Sequence, residues 1–260
     1  MLDVNLEPVF KAIQKQKPKL VLLQFPEGLK TRLKQITEKL EETTNVTIVS
    51  LIEPCFGACM LAETKAQLLG ADLLVHFGHS RFYPEKIPTI FVPLEYKISE
   101  TQLQKTIETI AQELSQKKLN RIGLVTTIQY LNALLPIQKR LEKKGFSVLI
   151  GMGQNVLAGQ VLGCNFSSAL FIIEKVDTIV YVGDGTFHPI GIGLALKKPV
   201  FSISPMESEW TEMGNEKESF LKKRLAIIGS LHEARSFGIL VSTQTGQLHL
   251  SQALEAKKEI

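Results

Sequence analysis

The 260-residue chain is 44% hydrophobic and 22% charged, ordinary for a soluble globular protein and long enough for one large domain or two to three small ones. Its net charge of +4 is mild and its basic residues are dispersed, so direct nucleic-acid binding is not expected. No apolar run reaches the roughly 18–20 residues that span a bilayer, and Met1-Leu2-Asp3-Val4-Asn5-Leu6-Glu7 lacks the basic start and apolar core of a signal peptide. The expectation is a cytoplasmic protein with no membrane partner.

In chain order, residues 1–17 read as an amphipathic helix, with Leu6, Val9, Phe10 and Ile13 at helical spacing and Pro18 ending it. A buried strand over 19–24 breaks at Phe25-Pro26-Glu27-Gly28, and a helix follows over 29–42. The strand 47–51 leads into the turn Glu53-Pro54-Cys55-Phe56-Gly57-Ala58-Cys59. A helix over 61–69 is capped by Gly70, and strands over 72–77 and 89–93 complete a first unit, 1–102, with a mainly parallel sheet. A joining helix over 103–116 opens the second unit, 103–215. There a strand over 121–126, a turn at Thr127-Ile128-Gln129-Tyr130, a helix to Lys144 and a strand over 146–150 lead to Gly159-Gln160-Val161-Leu162-Gly163-Cys164-Asn165. A further helix, a strand over 178–182 and a segment over 198–205 close it.

A linking helix over 216–234 follows, in which Lys222-Lys223-Arg224 reads as a solvated face. A strand over 236–242, a turn at Thr243-Gln244-Thr245-Gly246-Gln247 and a helix carrying Leu248, Leu250, Ala253 and Leu254 then begin a third unit within 216–260 that stops in mid-helix. That pattern suits a truncated chain, or a short version completed by a partner.

Cys59 and Cys164 stand 105 residues apart, and Asp72/Asp177, Val75/Val180 and Gly78/Gly183 keep the same offset. This is an internal repeat. The expected fold is therefore α/β: three pseudo-repeated units with mainly parallel sheets flanked by helices, the third incomplete.

Ligands of parallel sheets bind at the carboxyl ends of strands, and the unusual residues gather there. They are Pro26, Glu27 and Gly28; Gly78 and His79; Thr127 and Gln129; and Asp184, Gly185 and His188. Glycines let backbone approach a ligand, and helix starts offer N–H groups to an anion. Each residue also has a plain reading: Pro26–Gly28 as a turn, Asp184 closing a turn on its own backbone, His188 in a loop, His79 as a satisfied polar side chain and His76 as sheet packing. His232 and His249 read as surface residues.

The three cysteines are not expected to form disulfides in a reducing compartment, and each fits a buried small hydrophobe. Zinc fits the Cys55/Cys59 spacing but lacks a second close pair. A cysteine nucleophile with His79 or His188 as base leaves two matched cysteines unexplained. An iron–sulfur cluster taking one thiolate from each unit accounts for the repeat best, with the third owed by the missing part of the third unit.

Five motifs, in order and spacing, resemble the diphthamide synthase family. They are Gln24-Phe25-Pro26-Glu27-Gly28-Leu29, Phe56-Gly57-Ala58-Cys59, Val75-His76-Phe77-Gly78-His79-Ser80, Gly159 to Asn165, and Gly185-Thr186-Phe187-His188-Pro189. These are the archaeal and eukaryotic 2-(3-amino-3-carboxypropyl)histidine synthases, and the archaeal homodimeric branch is most similar. The resemblance implies a 4Fe–4S cluster held by one cysteine per domain, with one iron open to S-adenosylmethionine. It implies cleavage of the sulfur–Cγ bond and transfer of the 3-amino-3-carboxypropyl radical to the imidazole C2 of a histidine on translation elongation factor 2. It further implies a homodimer and an electron donor. Carried over by position, Cys59 and Cys164 are two cluster ligands. The strand-end residues Pro26, Glu27, Gly28, Gly78, His79, Thr127, Gln129, Asp184, Gly185 and His188 would surround the S-adenosylmethionine. Cys55 lies outside the motif, Phe56 stands where the family usually has tyrosine, and the family's cysteine–proline–arginine segment is not in these 260 residues. The alternative is a non-catalytic scaffold subunit.

Overall fold

Strands buried on both faces read as near-continuous apolar runs, and such runs become the inner strands of two separate sheets. The computed structural model describes residues 2–243 and 248–260. By compactness it divides into a unit of Val4–Leu94 with Glu233–Ile260 and a unit of Glu95–His232 with Met1–Asp3. The division after residue 94 falls earlier than the expected 102; the linking helix read over 216–234 groups, up to His232, with the second unit, and the residues read as beginning a third unit group with the first.

The chain begins with β1 (Leu2–Val4), α1 (Glu7–Gln16), β2 (Leu20–Gln24), α2 (Leu33–Thr44), β3 (Thr47–Leu51), α3 (Glu63–Leu69), β4 (Leu73–Phe77) and β5 (Thr89–Val92). The expected helix over 1–17 thus yields its first residues to a strand. Asn5 then starts α1 by accepting the Glu7 N–H through Oδ1 at 3.0 Å. The sheet order is β3-β2-β4-β5, all parallel. Its register is tied at the amino end by Asp72, whose Oδ2 accepts the N–H groups of Lys19 at 2.7 Å and Leu20 at 3.1 Å. Between β3 and α3 lies a 3₁₀ turn, Ala58–Met60.

The second unit contains β6 (Leu94–Tyr96), which pairs with β1, then α4 (Glu100–Gln116), β7 (Arg121–Thr126), α5 (Leu131–Lys143), β8 (Ser147–Ile150), α6 (Ser167–Ile172), β9 (Thr178–Val182), α7 (Phe187–Ala195), β10 (Val200–Ile203), β11 (Trp210–Glu212) and α8 (Gly214–Ser230). Its sheet runs β8-β7-β9-β10 in parallel with β11 added antiparallel. Asp177 repeats the tie of Asp72: Oδ2 accepts the Arg121 N–H at 2.9 Å, and Oδ1 accepts the guanidinium at 2.6 and 3.0 Å. Ile107, Ile110 and Leu114 of α4 and Leu134, Ile137 and Leu141 of α5 bury one face of this sheet with Ile122, Leu124, Val180 and Val182. Val125, Ile179 and Tyr181 meet Ala169, Ile172 and Ile192 on the other.

Past β8 the chain returns alongside the end of β7. The Thr126 N–H donates to Gly159 O at 2.9 Å and the Val161 N–H to Thr126 O at 2.8 Å. Leu162 and Asn165 then exchange backbone bonds of 2.9 and 3.1 Å, a two-residue hairpin with Gly163 and Cys164 at its tip.

The expected strand over 236–242 is not one. Phe237, Ile239 and Val241 alternate as a strand would, yet these residues join no sheet among the described residues, and a strand exists only when its backbone groups are paired. Of the expected turn after it, Gln244–Gln247 lie outside the described residues, and α9 (Leu250–Glu259) follows as anticipated.

Gly159 adopts φ +74°, and a Cβ there would lie 2.4 Å from Leu134 Cδ1 and 2.8 Å from Ile150 Cγ2. Gly159→Ala is expected to cost about 1–3 kcal/mol through overpacking and left-handed strain, read as a lowered urea midpoint at unchanged m-value.

Candidate functional site

In the first unit the carboxyl ends of β2 and β4 meet the cysteine turn. Register pairs Gln24 with His76. The Gln24 carboxamide is committed on both sides: Nε2 donates to Met60 O at 2.7 Å, while Oε1 accepts the Ala62 N–H at 3.1 Å and faces His76 Nδ1 at 2.8 Å. A buried side chain thereby holds the backbone on either side of Leu61, immediately after Cys59. Since an amide oxygen only accepts, His76 Nδ1 carries a proton. His76 Nε2 then presents its lone pair to His79 Nδ1, 2.9 Å away. Burial pushes His76 down to about 3, with His79 adding to the effect, and pushes His79 down to about 4. Both rings are neutral near pH 7. His76, read from the sequence as packing, is fully buried and is also the middle of this chain of bonds.

Gly78, at φ +92°, lets the Pro26 ring lie against it; a Cβ would sit 2.8 Å from Pro26 Cγ. Glu27 pairs with Lys30 at 2.6 Å and accepts the Cys55 N–H at 3.3 Å. The Lys30 hydrogen bond, chiefly, keeps its carboxyl below the usual range. Gly28 is exposed on the 3₁₀ turn Glu27–Arg32. Cys59 is partly exposed, whereas Cys55 is 1% exposed and burial pushes its thiol up to about 11. An open cleft of about 410 Å³ beside the turn is lined by Gln24, Leu51, Glu53, Met60 and Lys65.

In the second unit Cys164 is exposed at the hairpin tip. The Phe187 ring covers the Cα of Gly163 so closely that a Cβ would meet Cε1 at 2.5 Å. The plain alternative for His188, a loop residue, does not hold. His188 lies in the first turn of α7, its ring stacked on Tyr181 at 5.9 Å, and burial pushes its pKa down. Asp184 likewise does more than close its own turn: it accepts from Tyr130 Oη and, at 2.6 Å, from Ser204 Oγ. Burial first, and that carboxylate second, push the Tyr130 phenol far above its ordinary value. Tyr181 is pushed up to about 12 by burial, opposed by its hydrogen bond with Thr127. Gln129 is half-buried on the 3₁₀ turn Ile128–Tyr130, and Gly185 is exposed.

The structure therefore gathers Pro26, Glu27, Gly78, His79 and Cys59 at one sheet end, and Thr127, Asp184, His188 and Cys164 at the other. Sequence reasoning missed Gln24, Tyr130, Tyr181 and Ser204 as site residues. A lone polar residue closing an otherwise apolar strand was the available signal for Gln24. The 105-residue offset from His76 was the signal for Tyr181.

Comparison with known proteins gives three results. A family model described as "Putative diphthamide synthesis protein" matches residues 25–260. The 2-(3-amino-3-carboxypropyl)histidine synthase of Pyrococcus horikoshii is 36% identical over 256 residues, covering 96% of this chain and 71% of the relative; that of Methanocaldococcus jannaschii is 28% identical, covering 95% and 70%. The crystal structure of Dph2 from Pyrococcus horikoshii with a 4Fe-4S cluster matches with a TM-score of 0.89 at 34% identity, over 100% of this chain and 75% of that one.

The two histidines make stability pH-dependent in a known direction. Their ordinary pKa is 6.5 and the folded chain holds both lower, so the unfolded chain takes up these protons first. The contribution is whole above about pH 6.5 and is lost as pH falls toward about 4. The urea midpoint should fall between about pH 7 and pH 5, and fall less steeply in His76→Gln; equal slopes would contradict neutral burial.

Proposed function

Because the chain belongs to the diphthamide synthesis protein family, we propose that it works as a 2-(3-amino-3-carboxypropyl)histidine synthase, transferring the 3-amino-3-carboxypropyl group of S-adenosylmethionine to a histidine of translation elongation factor 2. The observation that carries this reading is the match, over the whole chain, to a solved relative that holds a 4Fe-4S cluster. When bound, such a cluster supplies the electron that splits the sulfur–Cγ bond and the open iron that anchors the substrate.

The chain's own residues fit that group. Cys59 and Cys164 each present sulfur at the carboxyl end of a parallel sheet, with solvent access and a glycine nearby, and thiolates are the usual ligands of iron–sulfur clusters. Cys55 fits it poorly: a thiol 1% exposed leaves no room for a bulky cluster. On this reading Cys59 and Cys164 would each supply a thiolate to such a cluster, and Cys55 would not.

The remaining strand-end groups bind and orient the substrate. Asp184, fixed by Tyr130 and Ser204, offers a preorganised anionic acceptor suited to the substrate ammonium or a ribose hydroxyl. Thr127, Gln129, Gly185 and His188 line the same loops. Pro26, Glu27, Gly28, Gly78 and His79 do so in the other unit, where Gly78 lets the Pro26 ring pack against it and fixes the loop. An external donor supplies the electron, elongation factor 2 is the protein substrate, and the working form is a cytoplasmic homodimer. No helix among the described residues is long and apolar enough to cross a membrane.

Anaerobic reconstitution with iron and sulfide should give broad visible charge-transfer absorption and several irons per chain. That absorption should be lost in Cys59→Ala and in Cys164→Ala and retained in Cys55→Ala, with transfer of labelled aminocarboxypropyl group to elongation factor 2 following the same order. Retention of the cluster in both Cys59→Ala and Cys164→Ala would overturn the assignment.

A further inference from the structure

We propose that Cys55, His76 and His79 form a separate site for a single borderline divalent cation of the zinc type. Their ligand atoms all lie within 4.8 Å of one another, and Cys59 is not among them. The sequence spacing had paired Cys55 with Cys59 and found no second pair. The fold instead brings Cys55, which follows β3, to two imidazoles at the end of β4, with β2 between the two strands.

The donor set is one sulfur and two nitrogens, a combination zinc uses in three-ligand sites that keep a fourth position for water. His76 Nε2 and His79 Nδ1 are 2.9 Å apart. Two nitrogens on one tetrahedral zinc stand roughly 3.3 Å apart, from bonds of about 2.0–2.1 Å. Small ring movements therefore convert the hydrogen bond into a shared ion. The outer shell is already built: Gln24 Oε1 takes the His76 Nδ1 proton at 2.8 Å, which orients the ring and leaves Nε2 to ligate. Gln24 is itself held by Met60 and Ala62. His79 is partly exposed and gives the ion a way in.

The proton balance is simple. The Cys55 thiol loses its proton to solvent, and the His79 proton moves from Nδ1 to Nε2, so one ion enters and one proton leaves. Nothing is oxidised or reduced. The ion ties the turn carrying Cys59 to the end of β4. Three ligand atoms this close suit one ion and do not include Cys59, so this site does not rest on the cluster reading.

The test uses the full chain carrying Cys59→Ala and Cys164→Ala, which removes the cluster ligands, titrated with Co²⁺ and then Zn²⁺ without oxygen. The expected result is one equivalent of Co²⁺ with thiolate-to-cobalt charge transfer and four-coordinate visible bands, about one proton released per ion, and displacement by Zn²⁺ with a rise in Tm. Adding Cys55→Ala should abolish the charge-transfer band. Adding His79→Gln, a milder change at a partly exposed position, should weaken binding by on the order of 10-fold or more. No charge-transfer band in the double variant, or a band and affinity untouched by both further changes, would overturn the proposal. Cluster loading in the unmodified chain reads the other site separately.

Discussion

Register between the inner strands is the constraint from which the rest follows. In a sheet a one-residue slip turns every side chain to the opposite face. Here two aspartates prevent it from the amino end: Asp72 holds the first N–H groups of β2, and Asp177 holds that of β7 together with the Arg121 side chain. With register set, Gln24 must stand beside His76 and Val125 beside Tyr181 at the opposite end. The groups that carry chemistry inherit their positions from carboxylates a full strand length away.

The two sheet ends answer the cost of burying polar groups differently. In the first unit a neutral chain runs from Gln24 through His76 to His79, and every buried atom in it has a partner. In the second, Tyr130 and Ser204 converge on Asp184, which remains open to solvent. The cysteines follow suit. Cys59 sits on a turn held by a buried amide, Cys164 rides a hairpin tip in water, and Cys55 is sealed away from both roles.

Much of this was legible beforehand, for identifiable reasons. Apolar runs over 20–24, 73–77, 121–126 and 178–182 announce buried strands, and the glycine-rich loops after them announce sheet ends. The offset pairing Asp72 with Asp177 was visible as a repeat, though not as a lock on register. Hydrogen-bond partners were not legible, because periodicity reports which face a residue takes and not what it meets 52 or 54 residues away, as with Gln24 and His76 or Tyr130 and Asp184. α7 was not anticipated: Pro189, Gly191 and Gly193 are poor helix formers, and buried contacts of Pro189 and Ile192 override that local preference. The stretch 236–242 misled in the opposite sense: its alternation is real, but alternation alone does not make a strand, and the stretch joins no sheet among the described residues.

Similar strand order in the two sheets invites the idea that their loops are exchangeable parts. The strand ends forbid it. A histidine placed at the position of Tyr181 would face Val125, which has no amide to take its proton, and a tyrosine at His76 would strand the carboxamide of Gln24 in the interior. Each such orphan costs about 1–3 kcal/mol. A chimera assembled by swapping halves would therefore need strand and loop transplanted together, with the smallest portable module being the inner strand pair and the turn it holds.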